Sequence, residues 1–170
     1  MVAATTTRNA MIDWLLTNNT RYHLTLTFTR FTPEPVCVSR LNKLIKQLNR
    51  AIYKRRFKKG LSYLNGFAVQ EYTTAMQTYH FHTLIADDYC LPTHDRFEQL
   101  LNKQLDYLKR YNSQYYIAHY LLQDYYNDGS NKLERYLTKQ FEFGGSRSSN
   151  RVGLLSDTSI YLEISNEYQS

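Results

Sequence analysis

The sequence predicts an α+β protein, a central antiparallel sheet with helices packed on it. Two observations carry that expectation: one segment alternates apolar and polar residues with the period of a strand and three more read as strands, and the longest stretches between them repeat their apolar residues every three to four positions, as one face of a helix does. A length of 170 residues is that of one domain. We therefore expect residues 1–170 to form a single domain, with a core at about 20–145 and a tail at 146–170.

The first strand is YHLTLTFTRF from Tyr22 to Phe31, where Leu24, Leu26 and Phe28 alternate with Thr25, Thr27 and Thr29. Pro33 and Pro35 end it. From Val38 the apolar residues Leu41, Leu44, Ile45, Leu48 and Ile52 fall on one helical face, and Lys43, Lys46, Arg50 and Lys54 recur on another. Gly66 opens a second strand, GFAVQEY, and TTAMQT is a hairpin loop leading to the third, YHFHTLIA, from Tyr79 to Ala86. Thr93 is placed to cap a helix whose stripe is Phe97, Leu100, Leu101, Leu105 and Leu108. YYIAHYLL is the fourth strand, NDGS a turn, and NKLERYLTKQF a short helix ended by Gly144 and Gly145. GGSRSSNR reads as a loop and TSIYLEI as an edge strand in the tail. The order β-α-β-β-α-β-α is that of ferredoxin-like and RNA-recognition-motif sheets.

Composition narrows the function. Apolar residues are 42% and charged residues 21%, an ordinary globular balance. Cys37 and Cys90 are too few for a disulfide framework or a four-cysteine zinc site, so a reducing cytoplasmic setting is expected. Asp13 interrupts the apolar stretch near the start, no run reaches membrane-span length, and no GxxxxGK[ST] provides for an ATP-driven motor. The net charge of +6 is unevenly spread. Between Glu34 and Glu71 there is no acid, while Arg40, Lys43, Lys46, Arg50, Lys54, Arg55, Arg56, Lys58 and Lys59 supply nine cations. Without those nine, the 21 basic residues fall to 12 against 15 acids, so the basicity is one segment. It fits a solvated helix face, and equally a surface for nucleic-acid phosphates.

His80-Phe81-His82 is the sharpest feature. Side chains alternate along a strand, so both imidazoles share a face and Phe81 points to the other. Alone, the pair also fits two packed strand histidines. If Thr73 and Thr78 close a four-residue loop, Glu71 stands opposite His80 and Val69 opposite His82, which sets a carboxylate beside two imidazoles and suits a divalent ion. A one-residue slip would undo this, and the loop lacks a Gly or Asn to fix it. His23, His94 and His119 have no partner at ligand spacing and read as structural. Asp87 and Asp88 read as solvated strand-end acids. Tyr136 and Lys139 share a face of the later helix, with Gln140 beside them.

Taken in order, HLTLTF, the acid of QEYTTAMQTYHFH with its His-hydrophobic-His, and YLTK resemble the HUH endonucleases, in particular the Rep proteins that initiate rolling-circle replication, with one tyrosine. The resemblance spans roughly Tyr22 to Phe141. It implies the HUH version of this fold, with His80, His82 and Glu71 as ligands of Mn²⁺ or Mg²⁺, Tyr136 as nucleophile and Lys139 as its neighbour. It implies sequence-specific nicking and joining of single-stranded DNA or an origin hairpin through a 5′-phosphotyrosine, with the host helicase and polymerase as partners and no membrane. No second tyrosine stands at 132 or 140, and these 170 residues hold no helicase domain, which fits a small plasmid or phage Rep or equally the nuclease domain of something longer. A single-tyrosine transposase of the same superfamily and a non-catalytic RNA-recognition-motif-like module remain the alternatives.

Overall fold

The structure is a computed structural model and describes residues 19–126 and 152–155, together with positions 13 and 17. Its elements are β1 (Thr20–Phe28), α1 (Glu34–Tyr53), α2 (Arg55–Lys58), β2 (Gly66–Thr73), β3 (Thr78–Ala86), α3 (His94–Tyr111), β4 (Ile117–Asp124) and β5 (Val152–Leu154). The sheet order is β4-β1-β3-β2-β5, with every neighbouring pair antiparallel. The first four strands thus follow the split β-α-β interleaving expected from the sequence, and the protein is α+β.

The threonine alternation of β1 has a direct consequence. Tyr22, Leu24, Leu26 and Phe28 are buried in one core with Phe81 and Ile85 of β3, Ala68 of β2 and Leu122 of β4. The same core takes Leu41, Leu44, Ile45 and Leu48 from α1 and Phe97, Leu101 and Leu108 from α3. Both long helices therefore cover one face of the sheet. Each of these side chains removes enough apolar surface from water to contribute about 1.5–3 kcal/mol. Cys37 lies in this core with its thiol pushed up to about 12, by burial first and Glu34 second, which leaves it unreactive.

Helix α1 begins earlier than the sequence spacing predicts. Pro33 takes the N-cap position and Pro35 sits in the first turn, where a missing N–H is no loss. Asn49 ties its far end to β2: Nδ2 donates to the Ile45 carbonyl at 3.0 Å and Oδ1 accepts the Leu64 N–H at 2.6 Å. Thr93 holds the N-cap of α3 without a side-chain capping bond. The short strand β5 falls just after the expected loop; the YLTK helix and the TSIYLEI segment lie outside the described residues. Among the described residues, no helix is long and apolar enough to cross a membrane.

Gly66 is required where β2 starts. Its φ is +148°, and a Cβ there would run into the carbonyl oxygen of Leu84. Gly60 also has positive φ, +69°, but meets nothing within 4 Å. Gly66→Ala should therefore destabilise the protein by about 3 kcal/mol and Gly60→Ala by about 1 kcal/mol. Urea unfolding of the two variants beside the wild type checks the difference.

Candidate metal centre

The face of the sheet turned away from α1 and α3 carries the histidines, and the strand registers lay it out as a grid. One row reads Glu71, His80, Thr27 and His119 across β2, β3, β1 and β4. The next reads Val69, His82, Thr25 and Leu121; a third reads Phe67, Leu84, His23 and Gln123. Thr73 pairs with Thr78, so the hairpin register is the one that sets Glu71 opposite His80.

Within the grid, Glu71 reaches diagonally. Its Oε2 lies 3.2 Å from His82 Nε2, and both side chains are largely buried. Each histidine of the pair turns Nδ1 to a β1 hydroxyl: His80 Nδ1 is 2.9 Å from Thr27 Oγ1, and His82 Nδ1 is 3.2 Å from Thr25 Oγ1. Such an outer partner fixes ring orientation and assigns Nε2 as the coordinating nitrogen. Two imidazoles and one carboxylate on one face are a donor set that fits a divalent ion with positions left for phosphate oxygen or water. Side chains must still converge to do so. Among the described residues, no three His, Cys, Asp or Glu groups already stand as a metal-holding cluster. The structure brings Glu71 and His82 together, and keeps His80 on Thr27.

His23, read from the sequence as structural, packs beside this pair. Its ring stacks on that of His82 with centroids 5.6 Å apart, and its Nε2 lies 3.4 Å from Thr25 Oγ1. The spacing within β1 gave no sign of it, because the neighbour comes from β3. The β1 to β3 register is the signal that finds it. His119 is separated from His80 by Thr27 on the intervening strand, at roughly 10 Å. His94 is engaged elsewhere, 3.1 Å from Asp124.

The other sequence candidates distribute as follows. Asp87 accepts from Arg21 at 3.1 Å, and Asp88 accepts from the Tyr53 hydroxyl at 2.7 Å, both at the end of β3 remote from His80. Of the nine basic residues, eight are exposed. Arg40 departs from the expectation of a DNA contact: it is 9% exposed, with its guanidinium 5.5 Å from the centre of the Tyr111 ring. The helical period explains this, since position 40 lies beside Leu41 and Leu44 at the seam between α1 and α3. Exposed Lys43, Lys46 and Arg50 lie on α1, which covers the face opposite the histidines, so the basic surface is not an extension of the candidate centre. Tyr136 and Lys139 lie outside the described residues.

Comparison with known proteins adds little. No family model and no curated protein matches the chain. A crystal structure of a hydrolase from Listeria innocua is similar over 81% of each chain, at 9% identity and a TM-score of 0.36.

Burial first, and the neighbouring His82 second, push the His23 imidazole down to about 4. His80 is also lowered, by burial first, with Glu71 opposing. The unfolded chain then binds more protons than the native one between about 4 and 6.5, so stability complete above the unfolded value is lost as pH falls through that window. For His23 the loss is on the order of 3 kcal/mol. Unfolding midpoints measured in chelator between pH 4 and 7 should fall with acidity, and more shallowly in His23→Leu.

Proposed function

We propose that the protein is a metal-dependent endonuclease and strand transferase that nicks and rejoins single-stranded DNA at a replication origin. The observation that supports this most is the packing of Glu71 against His82 beside His80, with both imidazoles held at Nδ1 by threonine hydroxyls. Glu71, His80 and His82 would hold Mn²⁺ or Mg²⁺, which supplies Lewis acidity to the scissile phosphate.

On this reading Tyr136 Oη attacks phosphorus in line. A phosphotyrosine ester forms, the bond to the leaving 3′ oxygen breaks, and that oxygen takes a proton as the phenol loses its own. A free phenol has a pKa of about 10, and the Lys139 cation favours the phenolate. The ester conserves the energy of the broken bond, so rejoining needs no ATP, in keeping with initiation of rolling-circle replication of a plasmid or virus. Host helicase and polymerase would extend the freed 3′ end. The tyrosine and lysine enter through the sequence resemblance, and a single-tyrosine transposase shares this chemistry.

The binding-module alternative loses support on the face that carries the histidines. Recognition-motif sheets stack bases on aromatic side chains of their central strands. Here the central strands β1 and β3 offer His23, Thr25, Thr27, His80, His82 and Leu84, with no Phe, Tyr or Trp among these six.

Incubation of the full chain with labelled single-stranded origin oligonucleotides and Mn²⁺ should yield a denaturation-resistant adduct that is lost in Tyr136→Phe, in His82→Ala and on chelation. Adduct persisting in Tyr136→Phe would refute the assignment.

The exposed basic surface on α1 and α2 would hold DNA backbone flanking the cleavage site. Replacing Lys46, Arg50 and Lys54 together by Gln removes three phosphate contacts, which should lower the salt slope of single-strand binding by about 2 and leave cleavage at saturating DNA unchanged. Binding measured by fluorescence anisotropy from low to high salt reads the slope.

A further inference from the structure

His23, Thr25 and His82 form a continuous line, of which the proposed reaction uses His82 alone. His23 Nε2 lies 3.4 Å from Thr25 Oγ1, the same oxygen lies 3.2 Å from His82 Nδ1, and His82 Nε2 lies 3.2 Å from Glu71 Oε2. The line runs across three strands, β1, β3 and β2, from a buried ring to the carboxylate of the candidate centre. By contrast, His80 faces Thr27 alone, with no second ring stacked behind it among the described residues.

A neutral imidazole carries one N–H, and a hydroxyl has one proton to give. Two polarities follow. With no cation, His82 Nε2–H donates to Glu71, Thr25 O–H donates to His82 Nδ1, and His23 Nε2–H donates to Thr25. A cation on His82 Nε2 forbids a proton there. His82 must then carry its proton on Nδ1 and donate to Thr25, and Thr25 turns to donate to His23 Nε2, which must be unprotonated.

We propose that His23 is a positioning residue for the metal centre, acting through Thr25, and that the His23–Thr25–His82 line reverses its hydrogen-bond polarity when a divalent cation binds. The proton balance closes: one proton leaves His82 Nε2, one is taken up at His23 Nδ1, and those between shift by one group. His23 thus completes the donor chain that keeps His82 Nε2 available to the ion. The inference rests on the reading of Glu71, His80 and His82 as cation ligands.

Two measurements on the full chain test it. Side-chain ¹⁵N spectra of the histidines, in chelator and then with Zn²⁺ as a diamagnetic probe, should show His82 changing from protonated Nε2 to protonated Nδ1, and His23 doing the same. Mn²⁺ affinity, read by electron paramagnetic resonance, should fall about 10- to 100-fold in Thr25→Val and in His23→Phe, recover in Thr25→Ser, and stay unchanged in Thr83→Val, a buried threonine in β3 paired with Leu24. An ion that binds at His82 while the His23 tautomer stays fixed, or full affinity in Thr25→Val, would overturn the relay and leave the centre standing. Mn²⁺ affinity unaffected by Glu71→Gln and His82→Ala would instead remove the centre, and the relay with it.

Discussion

The pairing register of β2 with β3 is the constraint on which the candidate centre depends. Side chains alternate with a period of two, so a slip of one residue would send Glu71 to the helix-covered face and leave the histidines without a carboxylate. The turn itself is poorly suited to fix it, since Gln77 takes a left-handed φ of 48° that favours Gly or Asn. The segment following β1 supplies the missing restraint. Thr78 Oγ1 donates to the Phe28 carbonyl at 2.6 Å, Phe31 N–H donates to Gln77 O at 3.0 Å, and Arg30 Nε donates to Met76 O at 3.2 Å. A local weakness in turn chemistry is thus offset by contacts formed only when β1 lies beside β3. Strand pairing and hairpin register are in that sense one event.

This separation of local and tertiary information decides what could be read from the sequence. The faces of β1 and α1 were legible because alternation and 3.6-residue periodicity are local, and the Thr73–Thr78 closure followed from counting. Glu71 opposite His80 came from the same count. The stacking of His23 on His82 was not legible, because it depends on which strand lies beside β1, and nothing within β1 names β3. Arg40 misled for a related reason: charge is read from composition, but burial depends on how Tyr111 of α3 meets α1. β5 was missed because three residues, Val152–Leu154, are too few to show any period.

The helices covering one face also decide how the two sequence signals relate. The basic residues concentrate from the middle of α1 through α2, and Arg56 at that end lies 5.4 Å from the centre of the Tyr89 ring, just beyond β3. That is the end of the sheet near Ala86 and Gly66, whereas His80 and Glu71 lie toward the opposite end, six residues or roughly 20 Å along β3. Basic surface and histidines therefore differ both in face and in end. A short single strand in the centre would not touch the cations. On the proposed reading, a DNA that engages both would have to pass around the sheet edge.

On the proposed reading, the charge on the histidine face defines what would bring a phosphate to the centre. In the three grid rows the acidic side chain is Glu71, and no Lys or Arg stands among them. Burial holds His23 and His80 toward their neutral forms. A phosphodiester approaching this face without a cation meets a carboxylate and, among the described residues of the three rows, no Lys or Arg, and in a partly buried setting that repulsion is weakly screened. Phosphate and cation must consequently bind together on the proposed reading. The protein's contribution is a prearranged set of lone pairs, held by β1 hydroxyls, whose negative charge suits the ion. On the same reading, affinity for DNA would reside in a different surface, the dense basic charge of α1 and α2.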